Sequence, residues 1–298
     1  MRLSTLTPHP AIAPFIHHFW VFESAVGLPS GDARVVVPNG RHKLIVPYRN
    51  GLTASPFDNG TARAQHHAAG DAVLVGLWEE PTIISSSEVE TVTIGIEFHP
   101  HGLSRFFPVV ASELTQRIES MEAVLGNAGR ALGQRVGGAR SIDEAVDIVR
   151  DFLLDRFVKS AETPELVRIS LQLLASSQYR MDVAELERKM GYSRRYLHAL
   201  FAEHVGLSPK RLMGVLQFEQ LYRKFSQNKS VEQLKRDALQ LFYDQSHFIR
   251  NFRRFTGYAP GRFAELDNEF GRIFYVATTP SHAAPGESSR ERLPPDAR

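Results

Sequence analysis

Hydrophobic positions in the first hundred residues recur in short runs rather than in helical stripes. Apolar segments fall at Phe15–Phe22, Val35–Val37, Lys43–Val46, Val73–Leu77, Thr82–Ile84 and Thr91–Phe98. Turn formers separate them: Pro38-Asn39-Gly40, Asn50-Gly51, Asp58-Asn59-Gly60 and Gly70-Asp71, residues that tolerate the backbone conformations tight turns need. The segment TVTIGIEF, Thr91–Phe98, alternates almost strictly, as a strand with one buried face should. Six or more short strands at this spacing predict a small sandwich or barrel.

After Pro100 the period changes to a helical one. Ser141-Ile-Asp-Glu144 is a capping box, in which hydroxyl and carboxylate each satisfy a free amide at a helix start. Behind it Ile142, Ala145, Val146, Val149, Phe152, Leu153 and Phe157 recur at three- and four-residue steps, one apolar stripe suited to a core or a dimer contact. Thr163-Pro164-Glu165 starts another helix, with Thr as N-cap and Pro at the first helical position. The domain boundary is placed at about residue 160.

Helix signals then follow densely. Asp182 opens a short helix ending near Met190, and Gly191 permits a sharp turn. Ser193 caps the next helix, Arg194 to about His204, which stops at Gly206. Ser208-Pro209 begins a longer helix carrying Leu212, Leu216, Leu221, Tyr222 and Phe225, to about Ser226. Ser230-Val-Glu-Gln233 is a further capping box, and Asp244 caps a last long helix, Gln245–Phe255, closed by Gly257. From residue 266 the chain decays into polar sequence rich in Pro and Ser, read as a disordered tail.

Composition sharpens this picture. The 298 residues, 43% of them hydrophobic, suffice for two globular domains, and 23% charged residues exclude a mostly disordered chain. No run of about 18 apolar residues occurs, so no membrane span is expected, and the N-terminus, broken by Pro8 and Pro10, lacks the apolar core of a signal peptide. The absence of cysteine excludes disulfides, thiolate metal sites and cysteine nucleophiles, and fits a cytoplasmic protein. The net charge of +2 conceals an asymmetry: residues 165–265 carry 17 of the 35 Lys and Arg and 10 of the 33 Asp and Glu, a net of +7, which leaves the remainder at −5. A basic module on an acidic partner suits a nucleic-acid binder fused to something else.

The basic region contains two helix–turn–helix units, at 182–204 and 231–255. In the second helix of the first unit Leu197, Leu200 and Phe201 face inward, leaving Arg194, Arg195, His198, Ala199 and Ala202 outward. In the second unit Phe248 and Phe252 face inward, leaving Gln245, Ser246, Ile249, Arg250 and Arg253 outward. Such a helix, braced by a shorter one, can read a major groove, where Arg bonds guanine bidentately and Gln bonds adenine. Ser193 and Lys210 stand at helix starts, where backbone amides receive phosphate; Arg211 shares the second of these. The predicted DNA contacts are therefore Ser193, Arg194, Arg195, His198, Ala199, Lys210, Gln245, Ser246, Ile249, Arg250 and Arg253.

The runs GYSRRYLHALFAEHVGLSPKRL and FYDQSHFIRNFRRFTGYAPGRF resemble the AraC/XylS family of bacterial transcription regulators. Asp244, Gln245, Ser246, His247, Phe248, Arg250, Phe252, Arg253, Thr256, Gly257 and Pro260 fill that family's second-unit signature. The likeness spans roughly residues 165–264 and implies two units on one linker helix, both facing double-stranded promoter DNA about one helical turn apart. HPAIAPFIHHFWVFE, VVVPNGRHKLIV and IGIEFHPHGLSRFF resemble a cupin-like domain often fused to this module. Two departures stand out: Gln217, Phe218 and Leu221 occupy the linker positions where the family has Arg-Leu and a small residue, and Leu241 or Phe242 replaces the turn glycine of the second unit.

The expected architecture is α+β: a cupin-like β-rich barrel with trailing helices over residues 1–160, an all-α double helix–turn–helix domain over 161–265, and the tail 266–298. The barrel is expected to sense a small-molecule effector, with Trp20, Phe22, His42, Tyr48 and Trp78 lining its pocket, or to form a homodimer; contact with RNA polymerase is a further option. No cofactor, metal or enzymatic role is expected. His99-Pro-His101 has the spacing of a metal-binding pair, but the next carboxylate is Glu113. Glu79-Glu80 reads as a surface turn. The rival readings are a metal-dependent cupin-type enzyme with an accessory DNA-binding domain, and a regulator without effector.

Overall fold

The computed structural model of the chain describes residues 1–28, 34–57, 64–160, 162–228, 230, 232–234, 236–237, 245–266 and 268–276. The N-terminal part is built on two antiparallel sheets. The larger runs in the order β1-β2-β9-β4-β7-β10, formed by Arg2–Leu6, Ile16–Ser24, Thr91–Phe98, Lys43–Arg49, Val73–Val75 and Ile118–Ser120. The smaller runs β3-β8-β5-β6, formed by Val35–Val36, Thr82–Ser85, Leu52–Pro56 and Gln65–His67.

Among the described residues the sheets stay open and form no closed barrel, which corrects the barrel expectation. The sheet edges include strands of two and three residues, β3 and β10, too short to carry a ladder around a closed wall. The single buried face expected for β9 is also corrected, because all eight of its residues are buried. Val92, Ile94, Ile96 and Phe98 join a core with helices α1 (Met121–Leu125), α2 (Asn127–Gly137) and α3 (Ile142–Lys159). Gly95 and Glu97 point the other way, toward the smaller sheet; Gly95 admits the Trp20 ring where any Cβ would collide with it.

The stripe on α3 is core: Ala145, Val146, Val149 and Leu153 are fully buried in that cluster. Its capping Ser141 accepts from the Glu144 amide at 3.1 Å, while the Glu144 carboxylate accepts from the Arg140 amide, one residue earlier than the box pattern.

The C-terminal part is helical. α4 (Glu165–Ser176), α5 (Val183–Met190) and α6 (Arg194–His204) precede the central α7 (Pro209–Asn228), and α8 (Gln245–Thr256), α9 (Pro260–Glu265) and α10 (Glu269–Val276) follow it. At α4 the N-cap position is Pro164 rather than Thr163. Leu212, Val215, Phe218, Leu221 and Tyr222 of α7 are buried between the two units; the atypical Phe218 thus serves as core, stacked on Phe255 with ring centroids 4.6 Å apart. The helix α10 corrects the disordered tail for residues 269–276; the tail beyond 276, and the expected Asp244 cap and Leu241/Phe242 turn, lie outside the described residues. Among the described residues no helix is long and apolar enough to cross a membrane.

Candidate nucleic-acid interface and inner cavity

Local chemistry fixes the first unit. The Asp182 side chain accepts from the Glu185 amide at 2.7 Å, Gly191 ends α5 at φ 72°, and the Ser193 hydroxyl accepts from the Tyr196 amide at 3.4 Å. A positive φ of this kind is cheap only without a Cβ. Leu197, Leu200 and Phe201 anchor α6 in the core. Ser193, Arg194, Arg195, His198 and Ala199 are exposed, with Ala202 half-buried. Arg194 is partly committed, its Nε donating to the Glu187 carboxylate at 2.7 Å.

In the second unit the Ser230 hydroxyl accepts from the Gln233 amide at 3.2 Å. Helix α8 buries Phe248, Phe252, Phe255 and Thr256 and exposes Gln245, Ser246, His247, Arg250, Arg253 and Arg254. Ile249 is half-buried and packs against the core, so it offers less outward surface than its expected position implied. The Thr256 hydroxyl donates to the Phe252 carbonyl at 2.7 Å, and Gly257 follows at φ 80°.

A groove of about 750 Å³ runs between the units. Arg194 and His198 of α6 line one side, His247, Asn251 and Arg254 of α8 the other, with Lys210 and Arg211 of α7 between. Glu79 reaches it from the loop between β7 and β8. Its carboxylate accepts from Arg211 and, at 2.6 Å, from Arg254. The side chain is 2% exposed, which corrects the surface-turn reading, whereas the two arginines are about half exposed.

A second space, a partly open cavity of about 140 Å³, lies between the sheets. Trp20, Ile45, Val75, Trp78 and Ile84 supply apolar wall, and Asn39, Arg41, Lys43 and Glu97 a polar end. Glu97 accepts from Asn39 at 3.0 Å and lies 4.0 Å from both Arg41 and Lys43. Arg41 also pairs with Glu219 of α7 at 3.5 Å, so the polar end is wired to the linker helix. Burial alone would raise the Glu97 pKa, but Lys43, His18 and Arg41 outweigh it and hold it down at about 2.

A β-bulge leaves His17 unpaired in β2 and sets it beside His18. These two and Glu97 place ligand-type atoms within 4.8 Å of one another, a grouping that could hold a metal ion. It is distinct from the His99–His101 pair, which has the spacing of a metal site but no nearby carboxylate in the sequence. Two buried cations, Arg41 and Lys43, already serve the same carboxylate, and they disfavour further positive charge. Burial, with Arg41, pushes His17 down to about 3, and burial lowers His99 and His101 to about 4.

Of the residues expected in the pocket, Trp20 and Trp78 line the cavity, and Phe22 packs beside it in a cluster with Trp20, Leu28 and Phe270. His42 and Tyr48 do not line it. Tyr48 belongs to the helix-covered core and donates to the Ala139 carbonyl at 2.9 Å. His42 is wholly buried with neither ring nitrogen hydrogen-bonded, and burial lowers its pKa to about 3. Sequence reasoning missed Asn251 and Arg254 in the groove, the buried Glu79 that pairs with Arg254, and Phe270, Phe274 and Tyr275 at the cavity. It also missed the exposed Tyr192–Tyr196 stack beside α6, whose ring centroids lie 4.9 Å apart.

Residues 186–265 match the family model of a helix-turn-helix domain, and residues 4–120 that of a domain of unknown function (DUF6597). No curated protein matches the chain in sequence. Similar solved structures include ToxT from Vibrio cholerae, 12% identical, covering 82% of this chain and 97% of that one, with a TM-score of 0.47. ToxT from Vibrio cholerae O395 bound to (E)-4-(8-methylnaphthalen-1-yl)but-3-enoic acid is 13% identical, covering 82% and 98%, with a TM-score of 0.46. The AraC-like transcriptional activator CuxR is 14% identical, covering 76% and 86%, with a TM-score of 0.27.

Proposed function

From a C-terminal helix–turn–helix domain of the AraC type, joined to a domain of unknown function, we propose a sequence-specific DNA-binding transcription regulator controlled by a small molecule. The observation that carries this reading is the groove flanked by α6 and α8. Both helices turn cationic side chains toward solvent, α8 adds the Gln245 amide, and Lys210 and Arg211 add positive charge between them. In this reading Arg195 and Arg250 reach base edges, Gln245 and His198 read beside them, and the helix start at Ser193 receives a phosphate. Arg253 and Lys210 lie toward the backbone, where charge sets affinity and register but carries no sequence information.

The N-terminal sheets would hold the effector in the cavity beside Trp20 and Trp78. Glu79 on the α8 arginine and Glu219 on Arg41 are the contacts through which a bound molecule could favour one arrangement of the two parts. An effector with equal affinity for both arrangements would regulate nothing.

The test is selection of bound duplexes from a random pool by the full chain. The expected outcome is an enriched site of two half-sites spaced by about 10 base pairs, bound with an affinity that falls steeply with salt. Recovery of unenriched sequence at every salt concentration would remove the reading.

A further inference from the structure

The inner cavity has a wall that its own sheets do not supply. Phe270, Phe274 and Tyr275 of the C-terminal helix α10 line it or close it off. The Phe274 ring stands edge-on to Trp20 at 5.1 Å, and Phe270 edge-on to Phe22 at 5.2 Å. Polar contacts hold the helix in place. The Asn268 side chain accepts from the Val35 amide at 2.9 Å and donates to the Val35 carbonyl at 3.0 Å, mimicking a strand partner. The Tyr275 hydroxyl donates to the Val37 carbonyl at 3.0 Å. Gly271 lies so close to the Val35 carbonyl that any Cβ there would collide with it. On its other side α10 meets the linker helix, with the Tyr275 and Tyr222 rings 4.7 Å apart.

Size decides what this arrangement means. The remaining 140 Å³ is close to the ~150 Å³ of an apolar cavity that takes a single benzene. Pockets for metabolite-sized ligands run to about 300–1,000 Å³. The aromatic face of α10 bounds the space that is left. Charge narrows the ligand further. Arg41 and Lys43 are matched by Glu97 and Glu219, so an anion would have to displace a buried carboxylate from its partners, whereas a neutral molecule leaves these ion pairs in place.

Building on the regulator reading, we propose that α10 is a built-in occupant of the effector pocket, expelled by an uncharged apolar ligand larger than one aromatic ring. Its departure breaks the Asn268 and Tyr275 clamps on residues 35–37 and loosens the hold of the N-terminal sheets on α7. The chain end beyond the DNA-binding units thereby becomes the element that reports pocket occupancy to them.

The test titrates the full chain with the neutral fluorophore N-phenylnaphthylamine and follows hydrogen exchange of residues 268–276. Wild type should bind weakly, and exchange there should rise as the probe binds. Gly271→Ala, which unseats α10 but leaves every lining side chain, should bind roughly tenfold tighter, because the helix no longer competes. Adding Val75→Trp, which fills the cavity floor, should abolish that gain. Should G271A prove unstable, a chain ended after Leu266 replaces it. Equal probe affinity in wild type and the unseated forms, or probe binding with unchanged exchange, overturns the displacement. Tighter binding of the sulfonated analogue of the probe overturns the uncharged class. Failure of wild type to bind any duplex in the site selection overturns the regulator reading alone, because the probe and exchange measurements need no DNA.

Discussion

The two helix–turn–helix units are made of similar parts but are held differently. The first closes on itself: Asp182, Gly191 and Ser193 shape its turn and caps, and Gly191 has no atom within 4 Å of where a Cβ would stand. The second leans on the N-terminal part. Arg254 of α8 is paired with Glu79, and Gly257 at its end lies against the Phe57 ring. The first unit also touches the N-terminal part: α6 packs against the turn Ala111–Leu114, and just beyond it the Gly206 carbonyl accepts from Thr115 at 2.8 Å. A shift of the N-terminal part therefore reaches both helices, α8 through an ion pair and a ring contact and α6 through packing on the turn Ala111–Leu114. The difference is one of kind: a change of charge can loosen the ion pair that holds α8, whereas α6 is held by packing.

The largest effect should come from removing what α8 uses as its own anchor. Phe252 is 0% exposed and meets the rings of Phe218, Phe225, Phe248 and Phe263. Phe252→Ala should cost about 3–5 kcal/mol, read as a shift in the urea midpoint. Amide protection in α6 should outlast that in α8, and equal loss in both would show that the units are one cooperative body. Next comes Arg195→Ala, which should weaken binding to the selected site by roughly 1–3 kcal/mol with little change on random duplex. Arg250→Ala should cost less on the same site. The reverse ranking would make the second unit the leading reader.

These differences also mark what the sequence could and could not disclose. Caps, turn glycines and the inward faces at Leu197, Leu200, Phe248 and Phe252 are local signals, and the structure has α5, α6 and α8 within a residue or two of their expected ends. Strands β1, β5, β6 and β10 escaped, because RLSTL, LTASP, QHH and IES have little apolar content and exist only by pairing. Glu79 with its arginines, separated by 132 and 175 residues, leaves no local trace in the chain. Nor does α10: its pattern of Phe270, Phe274 and Tyr275 is amphipathic, but a polar run follows it in sequence and the strand residues it covers lie more than two hundred positions earlier.

Glycine substitutions probe the asymmetry at smaller scale. Gly191 and Gly257 both hold positive φ, so Ala at either costs about 1–2 kcal/mol of backbone strain. At Gly191 that is the whole expected loss, since the added methyl meets open space. Gly257→Ala should lose more, because the Phe57 ring must also move. Thermal unfolding of the pair should separate them, and equal losses would mean that Phe57 yields freely and does not brace α8.

The smallest effect carries the most information about coupling. Glu79 is buried, yet it neutralises two arginines that remain half exposed on the groove. A neutral Gln leaves no buried charge unpaired, and the half-exposed arginines keep water as a partner, so Glu79→Gln should leave the fold nearly intact. The charge balance of the groove, however, changes by a full unit, and Arg211 and Arg254 become free to meet phosphate. Affinity for duplex should rise a few-fold, and the slope of log affinity against log salt should steepen by up to about 0.9 for each arginine that gains a phosphate. A rise in affinity without a steeper slope would mean that Glu79 acts by holding the angle of α8 rather than by competing with DNA for its cations. No change in either would remove Glu79 from the coupling and leave α10 as the connection between the cavity and the groove.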